Sequence, residues 1–238
     1  FKMAGAAPLA ASAAWTRLGA SHRSRTHCRA YVCASVPYSE SFRRITRHPE
    51  SASDSAGNVL YFGYGANISS SALKTRGVSP SASAVGRADG WALNFIHRGG
   101  YATIDRDKES TAWGSVHRIC KSELVVIRKW ETGYKMVEMD VDVLNGDGPI
   151  TDKRKSITVK CIAFVTKPSA RLPAPVVPFN LYADKLVKGA EEIGLPNEYL
   201  QMLRRARDES ISRKDRGPEY FDVPTVPQLV KRWFSGEV

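Results

Sequence analysis

The sequence predicts an α+β fold, a small antiparallel or mixed β-barrel flanked by helices, and three observations carry that prediction. Strand-like segments follow one another through short turns from residue 59 to 166, which favours antiparallel pairing. The clear helical segments come late, after residue 180, the order expected of α+β rather than alternating α/β chains. The composition, 42% hydrophobic and 25% charged over 238 residues, suits one globular domain plus extensions, and no apolar run approaches the ~18–20 residues that span a bilayer.

Val59–Phe62 is apolar and β-prone and reads as the first strand, with a short helix over Ile68–Arg76. "GWALNFIHR" (90–98) and "YATID" (101–105) read as two strands turned by Gly99-Gly100, and "TAWGSVHRI" (111–119) as a third. In Lys121–Glu131, Leu124, Val125 and Ile127 suit a helical stripe. "YKMVEMDVDV" (134–143) alternates, with Val137, Met139, Val141 and Val143 on one face and Glu138, Asp140 and Asp142 on the other. A turn at "NGDG" (145–148) leads to "SITVKCIAFVT" (156–166), with Ile157, Val159, Cys161, Ala163 and Val165 on one face. After a Pro-rich passage come helices over roughly Asn180–Ile193 and Asn197–Glu209, joined by "GLP", and a last helical segment, "VPQLVKRWF" (226–234).

Charge is unevenly distributed. Residues 1–57 hold eight Lys/Arg against three acids, a net +5, and the other 181 residues share +6. The body is thus mildly basic and lacks the aromatic-interleaved basic stripe of a nucleic-acid binder, so no nucleic-acid partner is expected. The first forty residues are rich in Ala, Ser and Arg with no acid before Glu40, the composition of an organellar transit peptide, and "VCAS" resembles a plastid processing site. Plastid is the expected location, with mitochondrion as the alternative and a retained basic tail as the other reading. "SASDSAGN" (51–58) reads as a linker. The expected organisation is therefore a transit peptide and disordered linker over 1–57, a folded domain over 58–215 and a helical extension over 216–238. Cys120 and Cys161 read as core residues, and no His/Cys spacing suggests a metal, so neither metal nor cofactor is expected. His97 and His117 have no accompanying nucleophile motif.

Gly63-Tyr64-Gly65-Ala66-Asn67 joins a strand to a helix. A dinucleotide fingerprint is excluded: Ile68 stands where the third glycine belongs, and Asp89 precedes a strand instead of ending one. Two readings remain. Asn67 caps the following helix and the turn presents free N–H groups to a carboxylate, or the glycines serve only a tight turn at positive φ. Glu131, four residues after Ile127 and seven after Leu124, falls on the apolar stripe of its helix. An inward carboxylate would have its pKa raised toward neutrality, whereas a helix frayed by that point would leave Glu131 in water.

"YFGYGAN" (61–67), "GGYATI" (99–104), "AWGSV" (112–116), "SELVVIRKWE" (122–131) and "GAEEIGLPNEYLQML" (189–203), in this order, resemble the gamma-glutamylcyclotransferases over roughly residues 58–207. The resemblance implies a barrel with its pocket at the mouth. It implies that Tyr64, Gly65, Ala66 and Asn67 cradle the α-carboxylate and amine of a γ-glutamyl group, with Tyr61, Phe62 and Gly63 leading in. It places the catalytic glutamate on Glu131 and a substrate-contacting tyrosine on Tyr182, which is otherwise a core residue on the stripe of Leu186 and Ile193. The implied reaction converts a γ-glutamyl amino acid or amine to 5-oxoproline and the free amine, in the manner of the γ-glutamyl amino acid branch and of glutathione metabolism. Ala66 stands in place of the commoner Ser, and Thr132 in place of the Gly that usually follows the glutamate. The implied partner is a small γ-glutamyl molecule, with a homodimer or an organelle complex as candidate assemblies. The alternative is a cyclotransferase-like subunit without turnover that serves binding or assembly in an organelle.

Overall fold

The computed structural model describes residues 38–145 and 155–212. Its elements run α1 (Tyr38–Ile45), β1 (Asn58–Gly63), α2 (Ser70–Lys74), β2 (Ala82–His97), β3 (Tyr101–Cys120), α3 (Lys121–Trp130), β4 (Tyr134–Leu144), β5 (Ser156–Thr166), a 3-10 turn (Pro168–Ala170), α4 (Asn180–Glu192) and α5 (Asn197–Ser212). The strands close into a barrel in the order β1-β3-β2-β4-β5. Every lateral pairing is antiparallel except the closing one, where β1 meets β5 in parallel at Tyr61 and Ile162.

Alternation sets the two faces of the barrel. Leu60, Phe62, Val116, Val141, Val143, Val159, Cys161 and Ala163 fill the interior core. Val59, Tyr61 and Ile119, one residue out of step, face outward and pack with Ile127 of α3 and with Leu73 and Val78. The alternation expected in β4 is present, since Met139, Val141 and Val143 are buried while Glu138 and Asp140 are exposed. Ile157, expected on the inner face, is 40% exposed, although its pairing partner Val143 is fully buried.

The segments read as "GWALNFIHR", "YATID" and "TAWGSVHRI" belong to two long strands of 16 and 20 residues. The register shifts between Asp89 and Trp91, at a Gly90 with φ of 77°, and the bulge absorbs the polar run 107–110 that had looked like a break. The helix expected over Ile68–Arg76 spans Ser70–Lys74 only. Residues 51–58 are not a free linker: Ser53 bridges Val59, and the Asp54 carboxylate accepts from Asn58 and pairs with Arg118 at 2.6 Å. Upstream, α1 buries Phe42 and Ile45 in or against the barrel core. The folded unit therefore starts at least at Tyr38. Of the expected transit peptide and linker over 1–57, residues 1–37 lie outside the described residues, as do residues 146–148 of the expected turn and the whole expected extension over 216–238. Ile45→Ala should lower stability by about 2–4 kcal/mol, the usual cost of truncating a fully buried Ile, as read from urea denaturation; an unchanged midpoint would mean α1 is dispensable.

Candidate active site

The glycines of the turn answer to close approach, not to positive φ: neither Gly63 nor Gly65 has a left-handed backbone. A Cβ at Gly63 would stand 2.3 Å from the carbonyl oxygen of Asn67, and one at Gly65 would stand 3.1 Å from the Tyr182 hydroxyl. The chain thus folds back on itself at 63–67 and lies directly against α4. Gly189, the glycine of the "GA…GLP" segment, extends the same contact, since a Cβ there would stand 2.3 Å from Ile68 Cγ2. Asn67 is not the helix cap expected of it. Ser69 is, accepting from the Ala72 N–H, and that frees the Asn67 side chain.

Asn67 is 3% exposed, and its Nδ2 donates to the Tyr61 hydroxyl at 3.0 Å and to Glu131 Oε1 at 2.9 Å. Its Oδ1 is buried without a partner among the described residues. The Asn67 main-chain carbonyl meets His117 Nε2 at 3.2 Å, and His117 Nδ1 meets Ser83 Oγ at 2.8 Å. A carbonyl only accepts, so Nε2 carries the proton and Nδ1 accepts from Ser83. Burial pushes the His117 pKa down to about 4, so the ring is neutral near pH 7 and acts as a brace for the turn.

Glu131 is the residue that ends α3, with φ −92° and ψ 50°, outside helical geometry. The apolar stripe holds to the end of the helix: Ile127 is fully buried and Glu131 turns inward toward Asn67. Burial raises the Glu131 pKa to about 7; the charge of Arg76 and the Asn67 hydrogen bond pull the other way without cancelling it. Gly133, with φ of 83°, then turns the chain into β4, and Trp130 points outward, 52% exposed, leaving the carboxylate uncovered by its neighbour.

Tyrosines surround this carboxylate. The Tyr64 hydroxyl donates to the Phe164 carbonyl. The Tyr182 hydroxyl accepts from the Ala102 N–H at 3.1 Å, and Tyr134 donates to the Ala102 carbonyl at 2.8 Å. All four of Tyr61, Tyr64, Tyr134 and Tyr182 have their pKa raised, first by burial and further by the charge of Glu131, so each is a neutral hydroxyl at working pH. Gly65 and Ala66 are the half-buried part of the turn, and their N–H groups have no acceptor among the described residues.

Of the residues expected at the site, Tyr61, Gly63, Tyr64, Gly65, Ala66, Asn67, Glu131 and Tyr182 come together. Phe62 does not: it is 0% exposed, one step out of phase with Tyr61, and its ring lies inside the barrel against Gly86 and Gly114. Three residues were missed. Tyr134 is joined to the site by a contact 32 residues away, and His97 stacks on it with centroids 4.1 Å apart while Nδ1 meets Thr166 Oγ1 at 3.2 Å. Its available signal was an aromatic directly after a glycine that follows the carboxylate. Arg76, whose charge acts on Glu131, Tyr61 and Tyr182, gave no periodic signal at all. Among the described residues, no group of His, Cys, Asp and Glu has the arrangement of a metal site, and no helix is long and apolar enough to cross a membrane.

A barrel with a half-buried carboxylate held against a glycine-tightened turn, among tyrosines, defines the class, and comparison with known proteins supplies the family. Residues 111–203 match a family model described as the AIG2-like family. The chain is similar to human gamma-glutamylcyclotransferase, 30% identical over 159 residues, covering 62% of this chain and 78% of the human protein. It is also similar to the mouse gamma-glutamylcyclotransferase, 29% identical over 158 residues, covering 61% of this chain and 77% of the other. The crystal structure of YkqA from Bacillus subtilis shares the fold, with a TM-score of 0.50 at 21% identity, covering 63% of this chain and 54% of that one. The chain belongs to the gamma-glutamylcyclotransferase family of enzymes.

Proposed function

We propose that this protein converts a γ-glutamyl amide to 5-oxoproline and a free amine, with Glu131 as the single proton carrier. The observation that carries the reading is the 2.9 Å contact between Asn67 Nδ2 and Glu131 Oε1, which holds a carboxylate of neutral-range pKa over the turn 63–67. The free N–H groups of Gly65 and Ala66 hold the substrate's α-carboxylate, and Tyr182 walls the other side. The turn thereby folds the γ-glutamyl chain so that its α-nitrogen faces its own side-chain carbonyl, and proximity supplies much of the rate.

Glu131 as carboxylate takes a proton from the α-ammonium group. The freed nitrogen pair attacks the side-chain carbonyl carbon and closes the five-membered ring. Glu131 then gives the proton to the departing nitrogen as the amide C–N bond breaks, takes the second, surplus proton from the ring nitrogen and passes it to the released amine, which leaves as an ammonium ion. Atoms balance with no water consumed and no bond formed to the protein. Ala66 in place of Ser removes one hydroxyl, and the main-chain N–H groups carry the contact without it.

The test is direct. Incubation with γ-glutamylalanine should yield 5-oxoproline and alanine; no product across a panel of γ-glutamyl compounds would overturn the reading in favour of a non-catalytic subunit. The pH dependence follows from the same carboxylate. The ionised form is the active one, so kcat should rise with pH through an inflection near 7. An inflection in the ordinary carboxylate range would show that Glu131 is not the proton acceptor. We read the N-terminal segment as directing the enzyme to a plastid, which a fluorescent fusion to residues 1–57 tests.

A further inference from the structure

His97 ends β2, is buried, and carries a titratable ring that the proposed reaction does not use. Glu131 stands outside helical geometry, so α3 alone does not fix its side chain. It opens a turn that the Tyr134 N–H closes, donating to the Glu131 carbonyl at 3.1 Å. That turn rests on His97. The imidazole stacks on the Tyr134 ring, with centroids 4.1 Å apart and planes 17° from parallel. It also lies against Gly133, where a Cβ would stand 2.7 Å from His97 Cε1 and 2.9 Å from Ala170 Cβ. The space beneath the turn therefore admits a flat ring and nothing thicker. His97 Nδ1 meets Thr166 Oγ1 at 3.2 Å, and the Thr166 N–H donates to Thr103 Oγ1 at 3.0 Å, so β5 and β3 set the ring's orientation. The adjoining Lys167 N–H donates to the Gly133 carbonyl at 2.9 Å and ties the turn to the same strand end. The Tyr134 hydroxyl donates to the Ala102 carbonyl at 2.8 Å, beside the Ala102 N–H that donates to Tyr182. Burial pushes the His97 pKa down to about 4, so the ring is neutral near pH 7 and acts by its shape.

We propose that His97 is a positioning residue: its ring seats the 131–134 turn, and through that turn it holds the Glu131 carboxylate against Asn67 and the Tyr134 hydroxyl against Ala102. Its effect on turnover rests on the function proposed above; the seating does not. A ring locked by packing and by one hydrogen bond is the kind of support that keeps a reacting group within a fraction of an ångström of its working place. A branched aliphatic chain at 97 fills the volume but is thicker than a ring. It lifts Gly133 and swings the carboxylate away from Asn67 toward water.

The test compares His97→Leu with His97→Phe in two measurements. With γ-glutamylalanine, His97→Leu should lower kcat by about 10²-fold, the scale of a misplacement near 1 Å. KM should change little, because the 63–67 turn is braced by His117 and not by His97. His97→Phe keeps the flat ring and should keep most of kcat; Thr166→Val removes the Nδ1 partner and should fall between the two. The second measurement needs no turnover: carboxyl-carbon NMR of glutamate-labelled protein, with the Glu131 signal assigned by its loss in Glu131→Gln. That signal should titrate at about 7 in wild type and His97→Phe, and well below that in His97→Leu. Urea midpoints taken alongside correct each value for unfolded protein. If His97→Leu does not fold, His97→Ala, which leaves the turn unsupported, carries the same two expectations. Leu and Phe variants alike in kcat and titration, or a Leu variant that loses stability alone, would overturn the seating and leave the reaction standing. A wild type without turnover would overturn the reaction, and the titration would still decide the seating: an unmoved Glu131 signal in His97→Leu refutes it.

Discussion

Replacing Glu131 with Gln should abolish 5-oxoproline formation, lowering kcat by about 10²–10⁴-fold, the range for losing a positioned general acid/base. Gln is the informative choice because it keeps an oxygen to accept from Asn67 Nδ2, so the 2.9 Å contact survives and only the titrating group is lost. The variant should also be more stable than wild type above neutral pH. The sign follows from the raised pKa, about 7 in the folded chain against 4.5 ordinarily. Below 4.5 the carboxyl is protonated in both states and burial carries no charge penalty. Between those values the unfolded chain releases the proton while the folded chain retains it, so wild-type stability falls with rising pH and levels off above 7. The gap is of the order of 2 kcal/mol, since each pKa unit is worth about 1.4 kcal/mol and the side chain is only half-buried. Thermal melts of both proteins at pH 5 and pH 8, run beside the activity assay, separate the two effects. Retained turnover in the variant would remove Glu131 from the chemistry.

A carboxylate that destabilises its own fold is what locates the candidate site in the sequence. Glu131 was legible because a charged residue on an apolar helical stripe breaks the local pattern, and Gly63-Tyr64-Gly65 because two glycines end a strand. Both are local conflicts, and both are resolved by contacts remote in sequence: Asn67 lies 64 residues from Glu131, and Tyr182 lies 80 from the Ala102 N–H it accepts. Such distances leave no periodic trace. Tyr134 and Arg76 therefore go unread, and Asn67, expected both as a cap and in the cradle, caps nothing and instead reaches Tyr61 and Glu131. Phe62 shows the opposite failing. The period-2 rule already puts it on the other face from Tyr61, but a contiguous motif invites reading every residue as part of the site. At the N-terminal boundary, composition misled. The Ala/Ser/Arg-rich flank masks Phe42 and Ile45, an i, i+3 pair that buries one face of α1. The long β2–β3 ribbon was cut in two because a bulge admits polar residues that a regular ladder would not.

Gly63→Ala should then be the most damaging of the single-methyl changes in the turn. The added Cβ would meet the Asn67 carbonyl oxygen at 2.3 Å and His117 Nε2 at 3.4 Å. Neither can retreat freely. The carbonyl is held by His117 at 3.2 Å, His117 is held by Ser83 at 2.8 Å, and all three are on strands or turns of the barrel wall. The strand itself cannot slide away, because the β1–β3 ladder pairs Phe62 with Val116 and Gly63 with Ser115. Relief must come from moving Asn67, and that shifts the amide that positions Glu131. The expected result is a stability loss of about 1–3 kcal/mol by overpacking, with kcat reduced about 10²-fold in the folded fraction, the scale of a misplacement near 1 Å. Gly65→Ala offers the comparison. Its Cβ would press on the end of a side chain, the Tyr182 hydroxyl at 3.1 Å, which can yield by a few tenths of an ångström. That variant should keep most of its stability while losing activity, because Gly65 forms the open part of the turn. If Gly63→Ala melts and turns over like wild type, the Asn67 carbonyl is not fixed, and the geometry that gives Glu131 its role does not depend on this turn.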